Sequence, residues 1–345
     1  MSQNLRQQLV NLTGLGIALL GWTLYAVYLS PTQGWTFYFQ LTVNGIILGS
    51  VYALIALGYT MVYGILKLLN FAHGDVFMVG AFIALGVLNL IGGAFSPAIP
   101  AGAGGALIVL CMFAAAMTGS GFLGVAIERF AYRPLRNAPR IAPLITALGV
   151  AFFLENSMLL LFGSKFRTYN GFDLVSYNGI HIGGDNGVFV QYLGLMVIVS
   201  AVALMIGLIA LVRWTQLGRA MRAVSFDREA AAMMGIDPDR VIAGTFFIGS
   251  ALAGAAGVMF GLLYSQIYHL MGFLAGLKGF TAAVVGGIGS IPGAMLGGML
   301  IGLMETWISA TAYSTYRDAM AFAVLILILL FRPAGILGTS VTEKV

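Results

Sequence analysis

Charge is scarce in this chain. Asp, Glu, Lys and Arg make up 8% of its 345 residues, where soluble domains carry roughly 25%. So little charge leaves no room for a separate water-facing domain around residues that are 60% hydrophobic. The net charge of +5 does not point to nucleic acid, because the basic residues sit in loops between apolar runs. Cysteine is nearly absent. Cys111 stands alone inside an apolar run, so no internal disulfide can form and the residue reads as a small core hydrophobe. The three histidines, His73, His181 and His269, fall in separate segments with no metal-ligand spacing. No GxxxxGK[ST] phosphate loop occurs, and the glycine-rich tail lacks the Lys and Ser/Thr such a loop needs. The chain is therefore not expected to be an enzyme, to hydrolyse ATP itself, or to hold a metal or cofactor.

Apolar runs of about 18 to 25 residues recur along the whole length, each long enough to cross a bilayer as a helix. The expected fold is all-α, a polytopic transmembrane bundle of 8 to 10 spans. Residues 9–29 form the first run, behind a polar start with Arg6. A cleaved signal peptide competes there, but the run is long for a signal core and lacks a clear small-x-small site, which favours a retained span. Further spans are expected over about 41–64, 76–91, 102–127, 144–162, 190–212, 241–263 and 319–331. In the second, Gly45, Gly49 and Ala53 recur every fourth residue, the small-xxx-small spacing that lets another helix approach closely in lipid. Lys67, Asn70, His73 and Asp75 crowd the break that follows. Residues 276–307 are rich in glycine, with Pro292 in their midst, and read as short or broken helices that line a cavity or pack tightly.

The basic residues orient the chain. With the N-terminus in the cytoplasm, the inside segments hold Arg6, Lys67, Arg129, Arg133, Arg136, Arg140, Arg213, Arg219, Arg222, Arg228, Arg240, Arg332 and Lys344. The outside segments hold Lys165 and Arg167, with Lys278 and Arg317 ambiguous. That asymmetry follows the positive-inside rule. It puts 163–187 outside, 218–240 in the cytoplasm, and the C-terminus inside for an even number of spans.

The stretch 218–240, GRAMRAVSFDREAAAMMGIDPDR, is the longest highly charged interval. It reads as a short, separately capped helix. Ser225 is the expected N-cap, Asp227 and Glu229 put negative charge in the first turn, and Gly235 ends the run in a left-handed cap. Asp237-Pro238 then opens the next helix. About two turns of helix cannot stand alone in water, so this one must lie against something. It exposes Phe226, Ala230, Met233 and Met234 with Arg222 and Glu229 alongside, a face suited to a groove on a partner protein. An amphipathic helix resting on the membrane surface is the competing reading.

Ionisable groups within apolar runs are candidates for function by default. Glu155 is the clearest, with Asn156 beside it; Glu305, Asp75 and His73 are others. Each is either a pathway group or a side chain hydrogen-bonded between helices. Irregular backbone beside a substrate is common in transporters, which adds Asn70, Gly286 and Gly289 as pathway candidates.

Four stretches, 44–82, 128–156, 218–261 and 276–298, together resemble the membrane subunit of bacterial branched-chain amino-acid ABC importers. The similarity runs from about Asn44 to Gly338. It makes 41–338 the permease domain and 1–40 an N-terminal extension with an added span. Glu229-Ala230-Ala231 with Gly235 resembles the EAA–G signature by which importer permeases engage their ATPase, with its later hydrophobic position not cleanly matched. The ATPase-coupling residues so implied are Arg219, Arg222, Phe226, Glu229, Ala230, Ala231, Met233 and Gly235. The resemblance implies ATPase subunits on the cytoplasmic face, a second related permease and an extracytoplasmic binding protein. The setting is the cell inner membrane, and the cargo is a branched-chain or other neutral amino acid. Urea or short amides are the alternative cargo, and a proton-coupled carrier using Glu155 the alternative mechanism.

Overall fold

Hydrocarbon offers no water to backbone N–H and C=O groups, so each span must satisfy its own as a helix. The computed structural model describes residues 34–95, 103–136, 138–139, 141–169, 178–183 and 187–338. The expected first span over 9–29 lies outside the described residues, as do Arg6, Arg140 and Lys344. The helices are α1 (Trp35–Leu66), α2 (His73–Phe95), α3 (Ala103–Ile127), α4 (Ile141–Phe162), α5 (Tyr192–Trp214), α6 (Gln216–Phe226), α7 (Arg228–Met233), α8 (Pro238–Tyr264), α9 (Met271–Gly286), α10 (Ile291–Ser309) and α11 (Arg317–Phe331). Among the described residues four short strands join them: β1 (Arg167–Thr168), β2 (Gly179–Ile182), β3 (Val188–Gln191) and β4 (Gln266–Ile267). β2 and β3 form a hairpin, and β1 pairs with β4. Among the described residues eight helical segments are long and apolar enough to cross a membrane, with α9 a shorter apolar helix. The chain is a polytopic helical membrane protein.

Within the described residues the spans expected from hydropathy fall on helices, with shifted ends. α2 starts at His73 rather than 76, so His73 and Asp75 stand in its first turn and the break is confined to 67–72. Lys67 closes α1 in the left-handed region (φ 55°), donating its N–H to the Tyr63 carbonyl at 2.9 Å. α3 continues through a π-helical turn, Glu128–Tyr132, into a 3-10 turn, Arg133–Leu135. Pro134, which has no N–H to donate, sits where the regular α pattern has already ended.

α1, α8 and α2 form the centre, with 83, 78 and 67% of an apolar 18-residue stretch of each buried, while for α4, α5 and α11 the share is 22, 17 and 6%. The outer helices present apolar side chains outward, as spans in lipid do. The seam at the centre is made of small residues. Gly45, Gly49 and Ala53 of α1 face Leu303, Met299, Gly298 and Gly302 of α10. A side-chain carbon on Gly49 would stand 2.7 Å from the Met299 Cα, and one on Gly45 would stand 2.8 Å from the Leu303 Cα. Close backbone approach of this kind, rather than a hydrophobic drive, holds helices together in lipid.

The glycine-rich tail is two helices and a turn. α9 ends at Gly286, Gly287 (φ +107°) and Gly289 (φ +97°) make the turn, and Ser290 caps α10 by accepting from the Gly293 N–H at 3.2 Å. Gly286 packs backbone to backbone against Gly293, and Gly297 against Ala282. Gly286→Ala is therefore expected to lower the amount of folded permease in the membrane, through overpacking of about 1–3 kcal/mol. Uptake per molecule should stay unchanged. Uptake divided by immunoblotted abundance checks this, and a fall in uptake at normal abundance would contradict it.

The helix ends gather at two faces. One face holds the break at 67–72, the turns at 128–135, α6, α7 and the turn at 287–290. It also holds 335–338, whose Ile336 and Leu337 N–H groups donate to Val285 and Gly286. The other holds the β2–β3 hairpin, tied to the start of α1 where the Gln40 side chain donates to the Phe189 carbonyl and accepts from its N–H. Lys67, Arg129, Arg133, Arg136, Arg213, Arg219, Arg222, Arg228, Arg240 and Arg332 belong to the first face, and Lys165, Arg167 and Arg317 to the second.

Candidate functional site

The stretch 218–240 folds as two helices. Thr215 caps α6, its Oγ1 accepting from the Gly218 N–H at 3.1 Å, and Gly218, Met221 and Val224 bury one face of it against the bundle. Ser225 is not the cap of the second helix. α6 runs through it to Phe226, and the Ser225 hydroxyl donates back to the Arg222 carbonyl at 2.8 Å. Asp227, extended at φ −152°, takes the role instead, its Oδ1 accepting from Glu229 N at 2.9 Å and Ala230 N at 3.0 Å. The far end closes as a Schellman motif. Gly235 (φ +82°) donates to Ala232 O at 3.0 Å, and Ile236 donates to Ala231 O at 3.1 Å. Asp237 caps α8 through Asp239 N at 3.0 Å, with Pro238 in the first turn.

Only Ala231 of α7 is buried. Phe226, Met233 and Met234 are 95, 84 and 83% exposed. Arg219, Arg222, Glu229 and Ala230 are exposed beside them, as is Gly235. The eight residues expected to couple to an ATPase thus lie on α6, α7 and the turn after it, seven of them exposed.

Behind α7 lies an ionic cluster. Asp239, in the first turn of α8, binds Arg133 at 2.5 Å, Arg228 of α7 at 3.3 Å, and Arg136. Arg136 also binds the buried Glu128. One turn further, Tyr132 donates to Leu69 O and Asn70 Oδ1, both at 3.2 Å. The ionic cluster thus ties α7 and α8 to the end of α3, and Tyr132 on the same stretch of backbone ties that end to the break between α1 and α2. A cavity of about 310 Å³ opens on this cluster, lined by Glu128, Arg129, Arg133, Asp237, Asp239 and Arg240 among others.

The pathway candidates separate. Asn70 is enclosed beside Tyr132. His73 is fully buried, its ring edge-on to Tyr59 with centroids 4.7 Å apart. It fills space that Gly58, lacking a side chain, leaves open. Asp75 instead borders a small cavity between α2, α4 and α9. Glu155 lies on the buried stripe of α4 with Ala147 and Ala151, the latter on the wall of the same cavity. Gly286 is a packing residue. Gly289 lies elsewhere, at a crevice shared with Thr60, Met221, Arg222 and Ser225 at the α6 face.

Sequence reasoning missed a buried ion pair. Lys278 on α9 and Glu305 on α10 are 5 and 7% exposed and meet at 2.7 Å. Tyr52 of α1 donates to the same carboxylate at 2.9 Å, and Asp318 of α11 binds the Lys278 ammonium at 2.6 Å. Two opposite charges inside neighbouring apolar segments were the available signal, since intramembrane charges pair with one another. Among the described residues no group of His, Cys, Asp and Glu is placed to hold a metal.

Residues 41–329 match the family model described as the branched-chain amino acid transport system permease component. The chain is 44% identical over 311 residues to the high-affinity branched-chain amino acid transport system permease protein BraD of Pseudomonas aeruginosa, covering 89% of this chain and 98% of that one. It is 42% identical over 317 residues to the corresponding permease protein LivH of Escherichia coli K12, covering 91% and 100%. LivH of Salmonella typhimurium is likewise 42% identical, over 321 residues and with the same coverage. No solved structure matches the chain.

Proposed function

The chain belongs to the branched-chain amino acid transport permease family, and from that premise we propose how its parts carry out import. It is the permease component of a branched-chain amino acid ABC transport system, homologous to LivH and BraD, and a multi-pass protein of the inner membrane. Residues 41–338 are its permease domain and 1–40 an extension with an added span. The face carrying α6 and α7 is cytoplasmic, in keeping with its basic residues, and so are both termini. ATPase subunits dock there, a second related permease completes the pathway, and a binding protein delivers the amino acid on the opposite face.

The observation that carries this reading is α7 itself. It is capped independently at both ends and keeps its apolar residues out of the core. Exposing Phe226, Met233 and Met234 to water has no folding rationale. The charges around them fix a partner's register, and flexible Met side chains fill its groove. Movement of α7 reaches the pathway through the ion pairs Arg228–Asp239 and Asp239–Arg136, then along the 3-10 turn 133–135 to Tyr132, which holds Asn70. The pathway runs past the break at 67–72, where Asn70, His73 and Asp75 stand, and past Glu155 on α4.

Reconstituted uptake of labelled leucine should survive a protonophore as long as ATP is maintained, and should require ATP on the face that bears Ser225. Uptake by this chain alone, driven by a pH gradient, would instead support the proton-coupled reading built on Glu155. ATP required on the opposite face would overturn the orientation.

A further inference from the structure

The cavity beside Asp75 joins two features that a structural void would not combine. Its walls are apolar and aromatic: Tyr59, Phe71, Leu148, Phe273 and Leu277. Yet Asp75, only 2% exposed, points a carboxylate oxygen into this region with no hydrogen-bond partner. A buried carboxylate oxygen left unpaired is costly, and the fold goes out of its way to keep it so. Gly272 gives it room, since a side-chain carbon there would lie 2.5 Å from Oδ1. Among the described residues no Lys, Arg or His forms an ion pair with it.

We propose that this cavity is a station for the transported amino acid, with Asp75 receiving the ammonium group and Phe71, Leu148 and Phe273 receiving the apolar side chain. The assignment deepens the importer reading and rests on it. An ammonium among aromatic faces beside a carboxylate gains both a charge-assisted hydrogen bond and cation–π attraction. Apolar walls select a branched aliphatic side chain over a polar one.

The cavity holds about 20 Å³ here, room for about one water, so the station is closed. The element able to open it is α4. Its buried residues form one stripe, Pro143, Ala147, Ala151, Leu154 and Glu155, while Leu148 on the cavity rim is 40% exposed. Phe273, across the rim on α9, is 50% exposed. A helix held on one face can swing without unpacking the core.

Asp75→Asn keeps the side-chain shape and removes the acid. In the purified, reconstituted importer it is expected to assemble normally with the ATPase subunits. Leucine uptake should fall at least tenfold. Wild-type uptake in Asp75→Asn overturns the station and leaves the importer reading standing. Absence of ATP-dependent uptake in the unaltered importer removes the importer reading instead. If Asp75→Asn fails to assemble, Ala151→Cys in a Cys111→Ser background decides the matter. Ala151 lines the cavity and is buried. Its modification by a small thiol reagent should be at least tenfold faster during turnover than at rest, and equal rates would overturn the inference.

Discussion

Glu229→Lys and Gly235→Pro are each expected to leave the permease inserted and to cut substrate-stimulated ATP hydrolysis and uptake at least tenfold. The size of the effect cannot come from destabilisation. Lysine in the first turn of a short exposed helix costs only about 0.3–1 kcal/mol against the helix dipole, too little to unfold a domain whose core lies elsewhere. Among the described residues Glu229 makes no ion pair within the chain, so reversing its charge is felt mainly by whatever docks on α7. Gly235→Pro acts through the backbone. Its φ of +82° is closed to proline, and proline has no N–H for the Ala232 carbonyl. Nothing lies within 4 Å of a side-chain carbon at 235, so crowding is not the cause. Gly235→Ala keeps the N–H and bears only the left-handed penalty of about 1–2 kcal/mol, so it should be the milder variant. Co-purification of the ATPase together with stimulated hydrolysis measures all three. Normal docking and stimulation in Glu229→Lys and Gly235→Pro would mean that α7 is not the coupling element.

The second large effect is expected at Lys278. Lys278→Met should destabilise the permease by about 3–5 kcal/mol, because Glu305 stays buried with its counter-charge gone. Tyr52 remains as a donor to that carboxylate, but one neutral hydrogen bond does not replace an ammonium. Asp318 is 40% exposed at its side chain and has Arg317 beside it at 3.7 Å, so it can turn to water and suffers less. The double variant Lys278→Met with Glu305→Leu removes both buried charges and should recover most of the loss, since a well-packed apolar pair is often as stable as a buried ion pair. Thermal unfolding in detergent and abundance in the membrane report the difference. A single variant as stable as the unaltered chain, or a double variant no better than the single, would show that the pair does not brace α9 against α10 and α11.

Hydropathy and composition alone determined that the chain is a membrane bundle and where its long spans lie, because lipid imposes a length and an apolar content that any sequence must display. The spacing of Gly45, Gly49 and Ala53 announced a close helix contact, and Gly235 and Asp237-Pro238 announced helix ends, since glycine and proline act through local backbone geometry. Ser225 misled because a capping serine and a serine inside a helix look alike until the preceding helix is known to reach Phe226. The identity of partners was beyond local reading. That α10 is the helix meeting Gly49, that Lys278 lies against Glu305, and that Asp239 gathers arginines from α7 and from the end of α3 depend on which spans become neighbours. In lipid every span is apolar all round, so hydrophobic pattern cannot choose between neighbours. Shape and buried charge choose, and both exist only once the helices have packed.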